Sequence, residues 1–121
     1  MTVLAVAIAG AIGAPARYLV ERAISDRSGR HFPWGTLVVN VTGSLALGFV
    51  TGLALYHGLS STPKTVIGTG FIGAYTTFST YAYEAVDVAE RSNPRVAGAY
   101  AIGSIVMGVA AATLGLVLAA I

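Results

Sequence analysis

The feature that most constrains this chain is where its ionisable groups are missing. Four stretches, at about 3–20, 34–56, 64–91 and 96–121, are mostly apolar, the second and fourth without any charge, and polar segments separate them. Each is close to the ~20 apolar residues that one helical crossing of a bilayer needs. Of 121 residues, 55% are hydrophobic and only 10% are charged, against about 25% charged in ordinary soluble domains. So little polar surface cannot cover a water-facing globule. The composition predicts an all-α membrane protein of four transmembrane helices in a single domain, 1–121, and excludes a soluble enzyme and a nucleic-acid binder. There is no cysteine, hence no disulfide and no thiolate chemistry.

Punctuation marks the spans. Pro33 opens the second at Trp34, and Tyr56 closes it, so two interfacial aromatics sit about one bilayer apart. The turn 57–63 leads to the third span, and Ser92-Asn93-Pro94 separates the third from the fourth. The stretch 21–33 reads as a polar linker. The first span has no basic segment before it and carries Arg17 near its far end, so it is read as a retained helix and not as a cleaved leader.

The basic residues give an orientation. Arg22, Arg27 and Arg30 lie in the first linker, Arg91 and Arg95 at the turn before the fourth span, and Arg17 leans to that side; only Lys64 lies opposite. The positive-inside rule then places both linkers in the cytoplasm and both termini outside.

Fifteen glycines fall partly on ridges of small residues spaced by four: Ala5-Ala9-Gly13, Ser44-Gly48-Gly52 and Ser104-Gly108-Ala112. Such ridges let helix backbones approach closely in lipid. They serve either packing within the chain or association between chains. Four short helices enclose little interior, which favours a dimer or larger assembly.

The third span holds the most informative segment, Gly68 to Tyr81, with glycines at 68, 70 and 73 followed by Thr76, Thr77, Ser79 and Thr80. This is a poor helix near mid-membrane. Unwound backbone at that depth must be buried in protein or line a wet cavity. Its freed carbonyls would suit a small cation, and its freed amides and hydroxyls an anion. The competing reading is a continuous helix whose hydroxyls bond back to carbonyls one turn earlier. Asn40 lies mid-span in the second helix with Thr36 and Ser44 one turn to either side, and Tyr100 and Ser104 share a face of the fourth. Asn40 serves either a pathway or an interhelical hydrogen bond. Glu84 is an intramembrane carboxylate, functional by default; it either lines a wet vestibule or pairs with Arg17. No set of residues suits hydrolysis or phosphate binding, and no enzyme is expected.

Three segments, in this order and spacing, resemble the small fluoride channels of the Fluc or CrcB family: Gly13-Ala14 with Arg17-Tyr18, Pro33 to Ser44, and Gly73 to Tyr81. The resemblance covers essentially the whole chain. It implies an antiparallel, dual-topology dimer in the bacterial cytoplasmic membrane, with two narrow anion pores and a structural Na+ at the dimer interface. The ion would be held by the backbone carbonyls of Gly73 and Thr76. The implied pathway residues are Asn40, Phe78, Tyr81, Thr77, Ser79, Thr80, Tyr100 and Ser104, with Thr36, Glu84 and Arg17 at a vestibule. Ring edges, which carry partial positive charge, would face the bare anion. Tyr81 stands where the family has a second phenylalanine, and Gly108 where its hydroxyl track continues.

The expected function is passive export of fluoride by a channel subunit in contact with membrane lipid, with no nucleic acid. The arginine bias points to one insertion direction, so the expected partner is a homologous subunit of opposite bias; the alternative is a second copy. Other readings are a proton-coupled exporter of the small multidrug type, which lacks its carboxylate in the first span here, and a non-conducting accessory subunit.

Overall fold

A computed structural model describes residues 1–29 and 31–121. Arg30, one of the orienting arginines, lies outside the described residues. The rest is helical: α1 (Thr2–Ser28), α2 (Trp34–Tyr56), α3 (Ser61–Thr65), a π-helical segment (Val66–Ile72), α4 (Gly73–Tyr75), α5 (Ser79–Arg91) and α6 (Pro94–Ala120). No strand occurs among the described residues. Three of the helices, α1, α2 and α6, are long and apolar enough to cross a membrane.

The segment 21–33 is not a linker throughout. Helix α1 continues through Glu21 to Ser28 and stops at Gly29, whose φ of 76° is open to glycine and rare for other residues. Hydropathy falls at Glu21, but nothing between 21 and 28 breaks a helix, because polar residues end an apolar stretch without ending its hydrogen-bond ladder. Helix α2 begins immediately after Pro33, with Trp34 47% exposed at one end and Tyr56 54% exposed at the other. Its 23 residues rise about 35 Å at 1.5 Å each. At α6 the Asn93 side chain accepts from the Arg95 amide at 2.7 Å, and Pro94 fills the first turn, where its missing N–H is no loss.

The small-residue ridges are consumed inside the chain. A Cβ at Gly48 would overlap the Ala112 carbonyl, one at Gly115 would overlap the Leu45 carbonyl, and one at Gly52 would reach the Ala119 methyl. Helices α2 and α6 therefore pack backbone to backbone. The ridge on α1 does the same against the π-helical segment: Gly13 faces the Phe71 carbonyl, and Gly70 faces Ala9. Of the two roles open to these ridges, packing within the chain is the one seen.

The third stretch is neither a continuous helix nor unwound over its glycines. Gly68 and Gly70 lie in the wide π-helical turns, which are rare and cluster at functional sites. The chain leaves helical geometry only at Thr76–Phe78, where Thr76 is extended (φ −83°, ψ 162°). The break is narrower than the glycine pattern suggests, because glycine permits irregular backbone without requiring it.

Candidate functional site

Of the three residues of open backbone, Thr77 finds its backbone partners on α2. The Asn40 amide pairs with Thr77 in both directions: Nδ2 donates to the Thr77 carbonyl at 2.8 Å, and the Thr77 amide donates to Oδ1 at 2.9 Å. Asn40 thus stands in for the neighbouring peptide that a continuous helix would provide. One turn further along α2, Gly43 leaves room for the Thr76 side chain, which a Cβ would overlap. Thr77 is buried, and its hydroxyl accepts from the Thr80 amide at 3.2 Å, capping the start of α5.

These substitutions free two carbonyls. In a regular helix the amide of residue i+4 bonds the carbonyl of residue i. The Thr77 amide is spent on Asn40, so Gly73 loses its donor; the Thr80 amide is spent on the Thr77 hydroxyl, so Thr76 loses its own. Two hard oxygen donors three residues apart are chemically suited to Na+. The Thr76 carbonyl also accepts from Arg17 Nη1 at 3.3 Å.

Of two cavities, the smaller lies at the break. It measures about 550 Å³ and is lined by Asn40, Ser44, Gly73, Thr76, Thr77, Phe78, Tyr81, Ser104 and Gly108. The other, about 760 Å³, lies towards the charged end and is lined by Glu21, Arg22, Asp26, Glu84, Asp87 and Arg91 among others. Glu84 accepts a hydrogen bond from the buried Thr36 hydroxyl. It does not pair with Arg17: the one ion pair among the described residues is Arg91–Asp87, at 2.6 Å. Between the cavities runs a chain of rings. Phe78 meets Tyr81 (centroids 5.7 Å apart), Tyr81 meets Tyr100 (5.4 Å), and Tyr100 meets Phe32 edge-on (5.4 Å). Tyr100 is 1% exposed, and neither its hydroxyl nor the Ser104 hydroxyl has a hydrogen-bond partner among the described residues.

Not every residue singled out in the sequence joins this arrangement. Ser79 and Thr80 line neither cavity; the Ser79 and Thr80 hydroxyls sit 3.4 and 3.2 Å from the Thr77 hydroxyl at the start of α5. Tyr81 donates its hydroxyl to the Ala101 carbonyl at 2.7 Å, turning it away from the break and onto α6. The aromatic face is kept while the polar tip is removed. Tyr81→Phe is therefore expected to cost about 1 kcal/mol of stability, one net hydrogen bond, and to leave ion flux within threefold; a tenfold change in flux would place the hydroxyl in the path. Glu21 was missed by the sequence reading. The i, i+4 series Gly13, Arg17, Glu21, Ser25 on α1 would have found it, had the helix been carried past residue 20.

The model of the family described as CrcB-like protein, Camphor Resistance (CrcB), matches residues 4–116. A Leifsonia xyli protein named fluoride-specific ion channel FluC 1 is 49% identical over 96% of this chain and 85% of its own length. Cutibacterium acnes FluC 2 and Symbiobacterium thermophilum FluC 1, both named fluoride-specific ion channels, are each 46% identical over 98% of this chain and 97% of their own. With apolar helices of membrane-crossing length and a match over nearly its full extent, this multi-pass membrane protein belongs to the CrcB/FluC family, which is a family of ion channels and not of enzymes.

Proposed function

We propose that this chain is one subunit of a fluoride-selective channel that lets the ion leave the cytoplasm passively. The observation that carries the reading is the pair of buried hydroxyls, Tyr100 and Ser104, one helical turn apart and without a geometrically sound hydrogen bond among the described residues, beside the rings of Tyr81 and Phe78. A buried donor left unpaired costs about 1–3 kcal/mol, and a small anion accepts from such donors while ring edges cover its remaining surface. Fluoride would enter the larger cavity beside Thr36 and Glu84, shed water, and pass along Tyr100, Ser104 and Phe78 into the smaller one. Donors and ring edges in place of water are what selects a small, strongly hydrated ion. Neutral HF that crosses the lipid ionises inside and is trapped, so an open pore for the anion is enough for export.

Phe78 is 77% exposed at the break, and the smaller cavity opens where only a second subunit or lipid can close it. Antiparallel pairing closes it with protein, the segment 64–91 serving as a fourth crossing. Gly73 and Thr76 from each subunit would hold the implied Na+, which supplies a fixed positive charge at the centre of the assembly. The arginine bias places both termini outside the cytoplasmic membrane and favours a homologous partner of opposite bias. Relatives numbered FluC 1 and FluC 2 fit organisms that hold more than one such chain.

A fluoride-electrode assay on liposomes, with and without the homologous chain, tests this together with a topology reporter at the C-terminus. Efflux only from mixed assemblies and a single outside-facing population are expected. Efflux from this chain alone, with equal populations facing both ways, would defeat the heterodimer; no efflux from either preparation would defeat the channel.

A further inference from the structure

Arg17 and Glu21 stand one turn apart on α1, the spacing at which an arginine and a glutamate meet, yet they are not paired. The guanidinium donates to a neutral acceptor, the Thr76 carbonyl, at 3.3 Å. Glu21 Oε1 is shut off from solvent with no hydrogen-bond partner among the described residues. The other carboxylate nearby, Glu84 on α5, is engaged by Thr36. Charge-assisted bonds are roughly twice as strong as neutral ones, so Arg17 uses a weaker acceptor while a carboxylate one turn away keeps a buried oxygen without a partner among the described residues. A buried group in that condition calls for a physical reason.

We infer that Arg17 has two seats, the Thr76 carbonyl and the Glu21 carboxylate, and that a sodium ion at the break decides between them. This deepens the cation reading proposed above and rests on it. A guanidinium on the Thr76 carbonyl and a cation on the same oxygen repel each other. When the cation occupies the break, Arg17 turns back one turn to Glu21, whose free oxygen receives it. Glu21 is then a positioning residue: it touches neither ion and acts by giving Arg17 somewhere to go.

The two side chains affect sodium in opposite directions, which a merely structural pair would not do. The test reads the melting temperature of the full chain, purified with whatever partner it needs, as sodium chloride replaces N-methylglucamine chloride at constant ionic strength. The wild type is expected to be stabilised by sodium. Glu21→Gln should need at least about tenfold more sodium for half the effect, because Arg17 is held on Thr76; Arg17→Gln should need at least about tenfold less. If Glu21→Gln does not accumulate, Arg17→Gln decides the sign alone. A melting temperature indifferent to sodium, midpoints within threefold of wild type, or both variants moving the same way would overturn the inference. Fluoride flux is not read in this measurement, so its outcome is separate from that of the channel assignment.

Discussion

Asn40→Leu is expected to lower fluoride efflux from liposomes at least about 100-fold while the chain still inserts in the membrane. Leucine matches asparagine in size but can neither donate to the Thr77 carbonyl nor accept from its amide, the 2.8 and 2.9 Å bonds that hold the break open. Two buried backbone groups would lose their partners, at about 1–3 kcal/mol each. The chain relieves that cost by returning the Thr77 amide to the Gly73 carbonyl, which closes the break. Since about 1.4 kcal/mol is a factor of ten, even the lower end of the two costs together removes more than tenfold of the open form, and loss of an amide beside the proposed pathway adds to it. Asn40→Asp separates the two roles: its carboxylate still accepts from the Thr77 amide but faces the Thr77 carbonyl and repels an anion. It should therefore conduct as poorly as leucine while keeping more stability. Efflux from Asn40→Leu within threefold of wild type would show that the break does not depend on this amide.

The same residues show which parts of the molecule were legible in the sequence. Proline followed by tryptophan, with a tyrosine about one bilayer later, marked α2, because those residues respond to a water–lipid boundary that is local and one-dimensional. A break near Thr76–Phe78 was legible from hydroxyl and glycine density, but its width was not. Glycines 68 and 70 tolerate π-helical turns as readily as unwinding, and the choice is made by packing, of α1 against Gly70 and of Leu47 on α2 against Gly68. The bond from Asn40 to Thr77 spans 37 residues of sequence, and no periodicity reports such a contact. The tail of α1 was hidden for a different reason. Helix and membrane span are distinct properties, and Glu21 to Ser28 keep the first while losing the second. That is why the unpaired Glu21 oxygen emerges only from the fold.

A methyl group at Gly48 is expected to destabilise the chain by about 3 kcal/mol, the upper end of ordinary overpacking costs. The added Cβ would overlap the Ala112 carbonyl oxygen and lie within 2.9 Å of the Ala112 Cα, all of it backbone. A side chain can rotate away from such a clash, whereas two helices joined along their length can only separate. Separation undoes the facing contact as well, since a Cβ at Gly115 is already excluded by the Leu45 carbonyl and the Phe49 amide. Both positions lie on the seam between α2, which carries Asn40, and α6, which carries Tyr100 and Ser104. Widening that seam would therefore move the two sides of the proposed pathway apart. Gly98 and Gly103 on α6 provide the contrast, because outside the helix's own neighbouring backbone no atom of the described residues lies within 4 Å of a Cβ built there. Alanine at those positions should be neutral or slightly stabilising, since it is the better helix former by about 1 kcal/mol. Thermal unfolding in detergent separates the cases. Should Gly48→Ala melt within a degree of Gly98→Ala, the close approach of α2 and α6 would not be what holds the two walls together.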